Sequence, residues 1–120
     1  DYEREIVSMM EARGVELVCL AGYMRIVGDV LLNAYRGRII NIHPSLLPAF
    51  RGARAVEQAV EYGVKVYGIT IHYVDEQLDG GKIIAQRAFE YDGDDPVEVH
   101  RIGQVIEHEL YVDTISKLLV

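Results

Sequence analysis

Apolar and polar positions alternate along this chain in two rhythms, one helical and one strand-like, and the rhythms trade places several times. In "YEREIVSMMEARG" the residues Ile6, Val7, Met9 and Met10 gather on one side of a predicted helix that Gly14 stops. That helix reads as already under way at Asp1. "VELVCLA", Val15 to Ala21, is a continuous apolar run of the kind expected of a parallel strand buried on both faces. A turn opens at Gly22, "GYMRIV" leads into a short helix near Asp29 to Tyr35, and "GRIINI" supplies a second strand. "ARAVEQAVEYG" repeats Ala55, Val56, Ala59 and Val60 at helical spacing and ends at Gly63. "VYGITIHYV", Val66 to Val74, is β-branched and partly alternating, and "KIIAQRAFE" follows as another strand. The last helix starts with Asp95 as N-cap, Pro96 at its first position and Glu98 completing a capping box.

This order predicts an α/β fold: an open sheet with parallel strands, then a C-terminal antiparallel pair, flanked by helices. At 120 residues, 50% of them hydrophobic, residues 1–120 suit a single domain with a real core. Nineteen acidic against twelve basic residues give a net charge of −7 with no Lys/Arg cluster, which argues against a nucleic-acid partner. The single cysteine, Cys19, cannot form an internal disulfide; it suits a reducing cytoplasm and equally reads as a small core residue. No apolar run approaches the roughly 18 residues that span a bilayer, and no signal-peptide pattern opens the chain, so a cytoplasmic protein without a membrane partner is expected.

In open sheets of this class ligands sit beyond the carboxyl ends of strands, where "NIHPSLLP" and "DEQLDGG" lie. Asn41 offers an amide donor and acceptor, His43 a proton carrier near neutrality, and Asp79 a carboxylate that favours a protonated imidazole. In a strand, residues 41 and 43 point to one face, so both can serve one small pocket and a developing oxyanion within it. Spacing alone also admits a purely structural arrangement, and leans to it. Asn41 would then satisfy loop backbone, His43 would pack on Pro44, and Asp79 would make an Asx turn before Gly80 and Gly81.

Other chemistries fit less well. His43, His72, His100 and His108 with Cys19 lack the paired spacings of a zinc site, so no metal is expected. Ser45 lacks nucleophile-elbow glycines, and no G-x-G-x-x-G follows a strand. His72, mid-strand, reads more readily as a packed core histidine. On the last helix His100, Gln104, Glu107 and Tyr111 form a polar stripe beside the apolar Val99, Ile102, Ile106 and Leu110, ordinarily a solvated face.

Together, "AGYMRIV", "GRIINIHPSLLPAF", "TIHYVDEQLDGGKIIAQ" and "IEHELY" closely resemble the folate-dependent phosphoribosylglycinamide formyltransferases of purine synthesis. The resemblance runs from about Asp1 to Val120 and corresponds to the C-terminal two-thirds of such enzymes. It implies direct transfer of a formyl group from 10-formyltetrahydrofolate to the amine of glycinamide ribonucleotide through a tetrahedral intermediate, without metal. Asn41, His43 and Asp79 are then the catalytic residues. Met24, Arg25, Ile26 and Val27 would line the folate site together with Asn41. The loop Asp75, Glu76, Gln77, Leu78 and Asp79 would wrap the pterin, and Glu107 would hold the ribonucleotide.

Three departures stand out. Arg51-Gly52 replaces the family's usual Pro-Gly, and "FRGA" resembles the methionyl-tRNA formyltransferases instead. Tyr111-Val112 stands where Tyr-Pro is common. The family's N-terminal, Rossmann-like strand, glycine-rich turn and helix, which bind phosphate, have no counterpart between Asp1 and Val120. The rival readings are a formyltetrahydrofolate deformylase, whose related loop resembles "INIHHSFLPAF" where this chain has Pro44 and Leu46, and a truncated folate-binding or assembly module without turnover. An unpaired strand edge would invite a homodimer.

Overall fold

Helices and strands alternate through the computed structural model, which describes residues 2–21 and 27–119. The order is α1 (Tyr2–Ala12), β1 (Val18–Ala21), α2 (Asp29–Tyr35), β2 (Ile39–His43), α3 (Ala55–Tyr62), β3 (Val66–Tyr73), β4 (Ile83–Glu90) and α4 (Pro96–Leu118). The sheet runs β1-β2-β3-β4, with β1 and β2 parallel and the β2/β3 and β3/β4 pairs antiparallel. This is the α/β sheet that the apolar rhythm predicts.

The period-two alternation of the strands divides the core. Ile39 joins Val7 of α1 and Leu32 and Tyr35 of α2 on one face. Ile40, Ile42, Ile69 and Ile71 meet Leu110 of α4 on the other, while Val56 and Ala59 of α3 pack with Tyr67 and Val99. Covering both faces explains why all five residues of β2 are buried. It also leaves Asn41 and His43 in the interior on the Ile39 side.

Three local expectations are corrected. Met9 is 57% exposed, because a helix that buries Val7 with Ile6 and Met10 partly covered turns residue 9 outward. The first strand covers only Val18–Ala21, and Cys19 and Ala21 are exposed. Among the described residues β1 has a strand neighbour on one side only, so this face is not fully covered. At α4, Asp95 caps as expected, its side chain accepting from Val97 N–H at 3.0 Å, but Glu98 binds the Arg101 guanidinium and does not complete a capping box.

One contact between helices bears on the site's border. Glu3 of α1 accepts from the N–H groups of Gly28 and Leu31, both at 2.9 Å, and so caps α2 from outside. A side chain at Gly28 would meet that carboxylate and displace the cap.

Candidate active site

The strand register sets the site. Asn41 pairs with His72, and His43 with Thr70, so these four side chains share one face at the carboxyl end of β2. All are buried, Asn41 at 3% exposure and His43 at 1%. A bulge between Ile71 and His72 shifts the β3/β4 ladder there, a device that re-aims a side chain.

Asp79 enters from the loop after β3, in the left-handed region at φ 52°, and is buried. Its Oδ2 accepts from Gly52 N–H at 2.8 Å and lies 3.5 Å from His43 Nδ1; its Oδ1 lies 3.6 Å from His72 Nε2. The structure thus brings His43, His72 and Asp79 together, with Asn41 paired to His72 on the same sheet face. Leu78 and Asp79 lie in a turn before Gly80, but the Asp79 carboxylate is taken by Gly52 N–H and makes no Asx turn among the described residues; that turn belongs to Asp75, whose Oδ1 accepts from Gln77 N–H at 2.8 Å.

Backbone carbonyls fix the two imidazoles. A carbonyl only accepts, so His43 Nε2–H donates to Phe50 O at 2.9 Å and His72 Nδ1–H donates to Tyr73 O at 2.8 Å. The other nitrogen of each ring, His43 Nδ1 and His72 Nε2, faces Asp79. His72 Nε2 and Asp79 Oδ1 have no hydrogen-bond partner among the described residues. A proton on either ring nitrogen that faces Asp79 would make these approaches charge-assisted contacts.

His72 is buried and hydrogen-bonded, as its sequence reading expects, and its approach to Asp79 is what the sequence did not single out. Its signal was available in the pattern: pairing "INIH" antiparallel with "TIHY" puts His72 beside Asn41 on the polar face.

The remaining residues are distributed around this centre. Val27 is buried with Leu32, Tyr35 and Ile39, and Val74 packs on that cluster immediately before Asp75. Met24, Arg25 and Ile26 lie outside the described residues. Glu76 is exposed and pairs with Arg36 at 2.6 Å, Gln77 is exposed, and Leu78 is half-buried against Gly52. Glu107 lines two cavities, one of about 20 Å³ that reaches Pro44 and one of about 310 Å³ that reaches Ile42, so it flanks His43 from the opposite face. Burial pushes its carboxyl above the ordinary range, against a smaller pull from His100. Tyr111, raised by burial, donates to Leu20 O at 2.6 Å and ties α4 to β1. His100 stays on the surface with Glu57 at 3.4 Å.

A family model described as formyl transferase matches residues 1–115. This chain belongs to the formyl transferase family. It is 55% identical over 120 residues to the phosphoribosylglycinamide formyltransferase of Bacillus subtilis, an alignment covering 98% of this chain and 61% of that relative. It superposes on the phosphoribosylglycinamide formyltransferase of Bacillus halodurans with a TM-score of 0.92 at 53% identity, covering 98% of this chain and 61% of that one. A formyltetrahydrofolate deformylase from Pseudomonas syringae pv. tomato is similar at a TM-score of 0.85 and 35% identity, covering 93% of this chain and 38% of that one. The chain thus spans about three-fifths of the length of its Bacillus relatives. No helix among the described residues is long and apolar enough to cross a membrane.

Proposed function

We propose that residues 1–120 form one catalytic and folate-binding unit that passes a formyl group from 10-formyltetrahydrofolate to the amine of glycinamide ribonucleotide. The observation that carries this reading is Asp79 set between His43 and His72 on the face that also holds Asn41. Attack of an amine on a formyl carbon has two needs: a donor for the developing oxyanion and a carrier for the amine's proton. Asn41 and protonated His43 supply the donors, and removing one such donor typically costs about 10²–10³ in rate. Asp79 and His43 carry the proton, and His72 holds the second carboxylate oxygen. His43 Nε2–H is engaged by the Phe50 carbonyl, so on this reading the formyl oxygen replaces Phe50 as its acceptor.

Val27, with the neighbouring Met24, Arg25 and Ile26, and the loop Asp75, Glu76, Gln77, Leu78 and Asp79 would hold the folate, which supplies the formyl group. The fit is supported by the apolar Val27–Val74 cluster beside that loop. Glu107 would receive the ribonucleotide.

Transfer is favoured over hydrolysis by the higher identity to the formyltransferases, and by Pro44 and Leu46 in the loop after His43, which line one cavity with Gly68. Labelled formyl donor supplied with glycinamide ribonucleotide is expected to label the ribonucleotide. Label released only as formate would establish the deformylase, and tight folate binding with neither product would leave a binding module. The same reading carries a cytoplasmic location and pairing of two copies along the free edge of β1. A monomer by sedimentation at micromolar concentration would remove the pairing.

A further inference from the structure

The loop that leaves His43 is pinned from across the sheet by a side chain that the proposed chemistry does not use. His43 of β2 faces Thr70 of β3, and Thr70 faces Gln86 of β4, so the three stand in one row. Thr70 is fully buried. Its hydroxyl donates to Ser45 O at 2.7 Å and accepts from Leu47 N–H at 3.1 Å and from Gln86 Nε2–H at 3.0 Å. One donor and two lone pairs are thereby used up. Gln86 Nε2–H also reaches Leu47 O at 3.0 Å, so Leu47 is held at both backbone groups. Ser45 Oγ–H closes the loop by donating to Ala49 O at 2.6 Å. The next carbonyl along the chain, that of Phe50, accepts from His43 Nε2–H. The path from His43 through residues 44–49 and back to its own ring is a closed circuit of hydrogen bonds fastened to the sheet at Thr70.

We propose that Thr70, braced by Gln86, is a positioning residue for His43. By fixing the loop it places the Phe50 carbonyl, and that carbonyl holds the ring with Nδ1 toward Asp79. The inference rests on reading His43 as the proton carrier, and its test keeps the two claims apart. Thr70→Val keeps the β-branched shape but leaves Leu47 N–H and Ser45 O without the hydroxyl; Thr70→Ser keeps the hydroxyl.

Nitrogen-15 NMR of the His43 ring in the protein reads the arrangement without any turnover. The wild type is expected to show the Nε2–H tautomer, Thr70→Val a mixture of tautomers, and Thr70→Ser the wild-type pattern. In formyl transfer, Thr70→Val should lower kcat by about 10- to 100-fold, the scale of a small misplacement, with KM for the formyl donor nearly unchanged. Thr70→Ser should restore kcat. A Thr70→Val protein with an unchanged His43 tautomer overturns the proposal, even if it melts at a lower temperature. If His43→Ala abolishes transfer while Thr70→Val leaves it intact, only the role of Thr70 is lost. If His43→Ala transfers at the wild-type rate, the reading of His43 itself is lost.

Discussion

The backbone N–H of Gly52 donates to Asp79 Oδ2 at 2.8 Å, a bond between two loops that follow different strands. Together with the Phe50 carbonyl on His43, it means that the short segment "FRG" holds both His43 and Asp79, the pair proposed to carry the proton, through its backbone. The Arg51 side chain is exposed and belongs to neither bond, so the family's usual proline can be replaced there without removing them.

Gly52 sits at φ 83°, and a Cβ there would meet only Leu78 Cδ2, at 4.0 Å. Gly52→Ala therefore costs backbone strain with no clash, about 1–2 kcal/mol of stability by the left-handed penalty. Relief of that strain moves the amide off Asp79. Urea unfolding should show a loss of that size, and formyl transfer should fall further than stability alone explains.

Asp79→Asn separates charge from shape. The amide oxygen still accepts from Gly52 N–H, so the loop stays in place and the melting temperature changes little. The proton carrier is lost, and kcat should drop by about 10²–10⁴, the usual value of positioned proton transfer. Melting and single-turnover rates measured on the same preparation check this.

Glu107 ties stability to pH. Burial, opposed by His100, raises its carboxyl in the folded protein, so the folded state binds this proton more tightly than the unfolded chain. With respect to this group the protein is most stable below the unfolded value, about 4.3 for a glutamate. Stability then falls as pH rises through the folded value, and above it the penalty is complete. Glu107→Gln should flatten that part of the profile in urea unfolding; an unchanged slope would show that the group does not contribute.

Much of this was legible in the chain. The helix at Asp29–Tyr35 and the strand ending at His43 follow directly from apolar spacing, because both are short elements whose buried faces leave no ambiguity of period. Asn41, His43 and Asp79 do converge, and the long "HPSLLPAF" loop makes this possible by returning the Phe50 carbonyl to His43. His72 was obscured because a lone strand histidine says nothing about its neighbour until register pairs it with Asn41. The side-chain Asx turn belongs to Asp75 and not to Asp79, because the Asp79 carboxylate is drawn to Gly52 N–H, a proximity that the sequence does not reveal. Exposure of Cys19 was equally hidden, because an apolar run does not reveal how many neighbours its strand has.

The most direct measurement is His43→Ala, compared with wild type in kcat for formyl transfer and in Kd for a folate analogue. The account predicts a fall of about 10²–10³ in kcat, the cost of a lost oxyanion donor, with Kd unchanged within about twofold. Equal losses in both would contradict it and make His43 a packing residue.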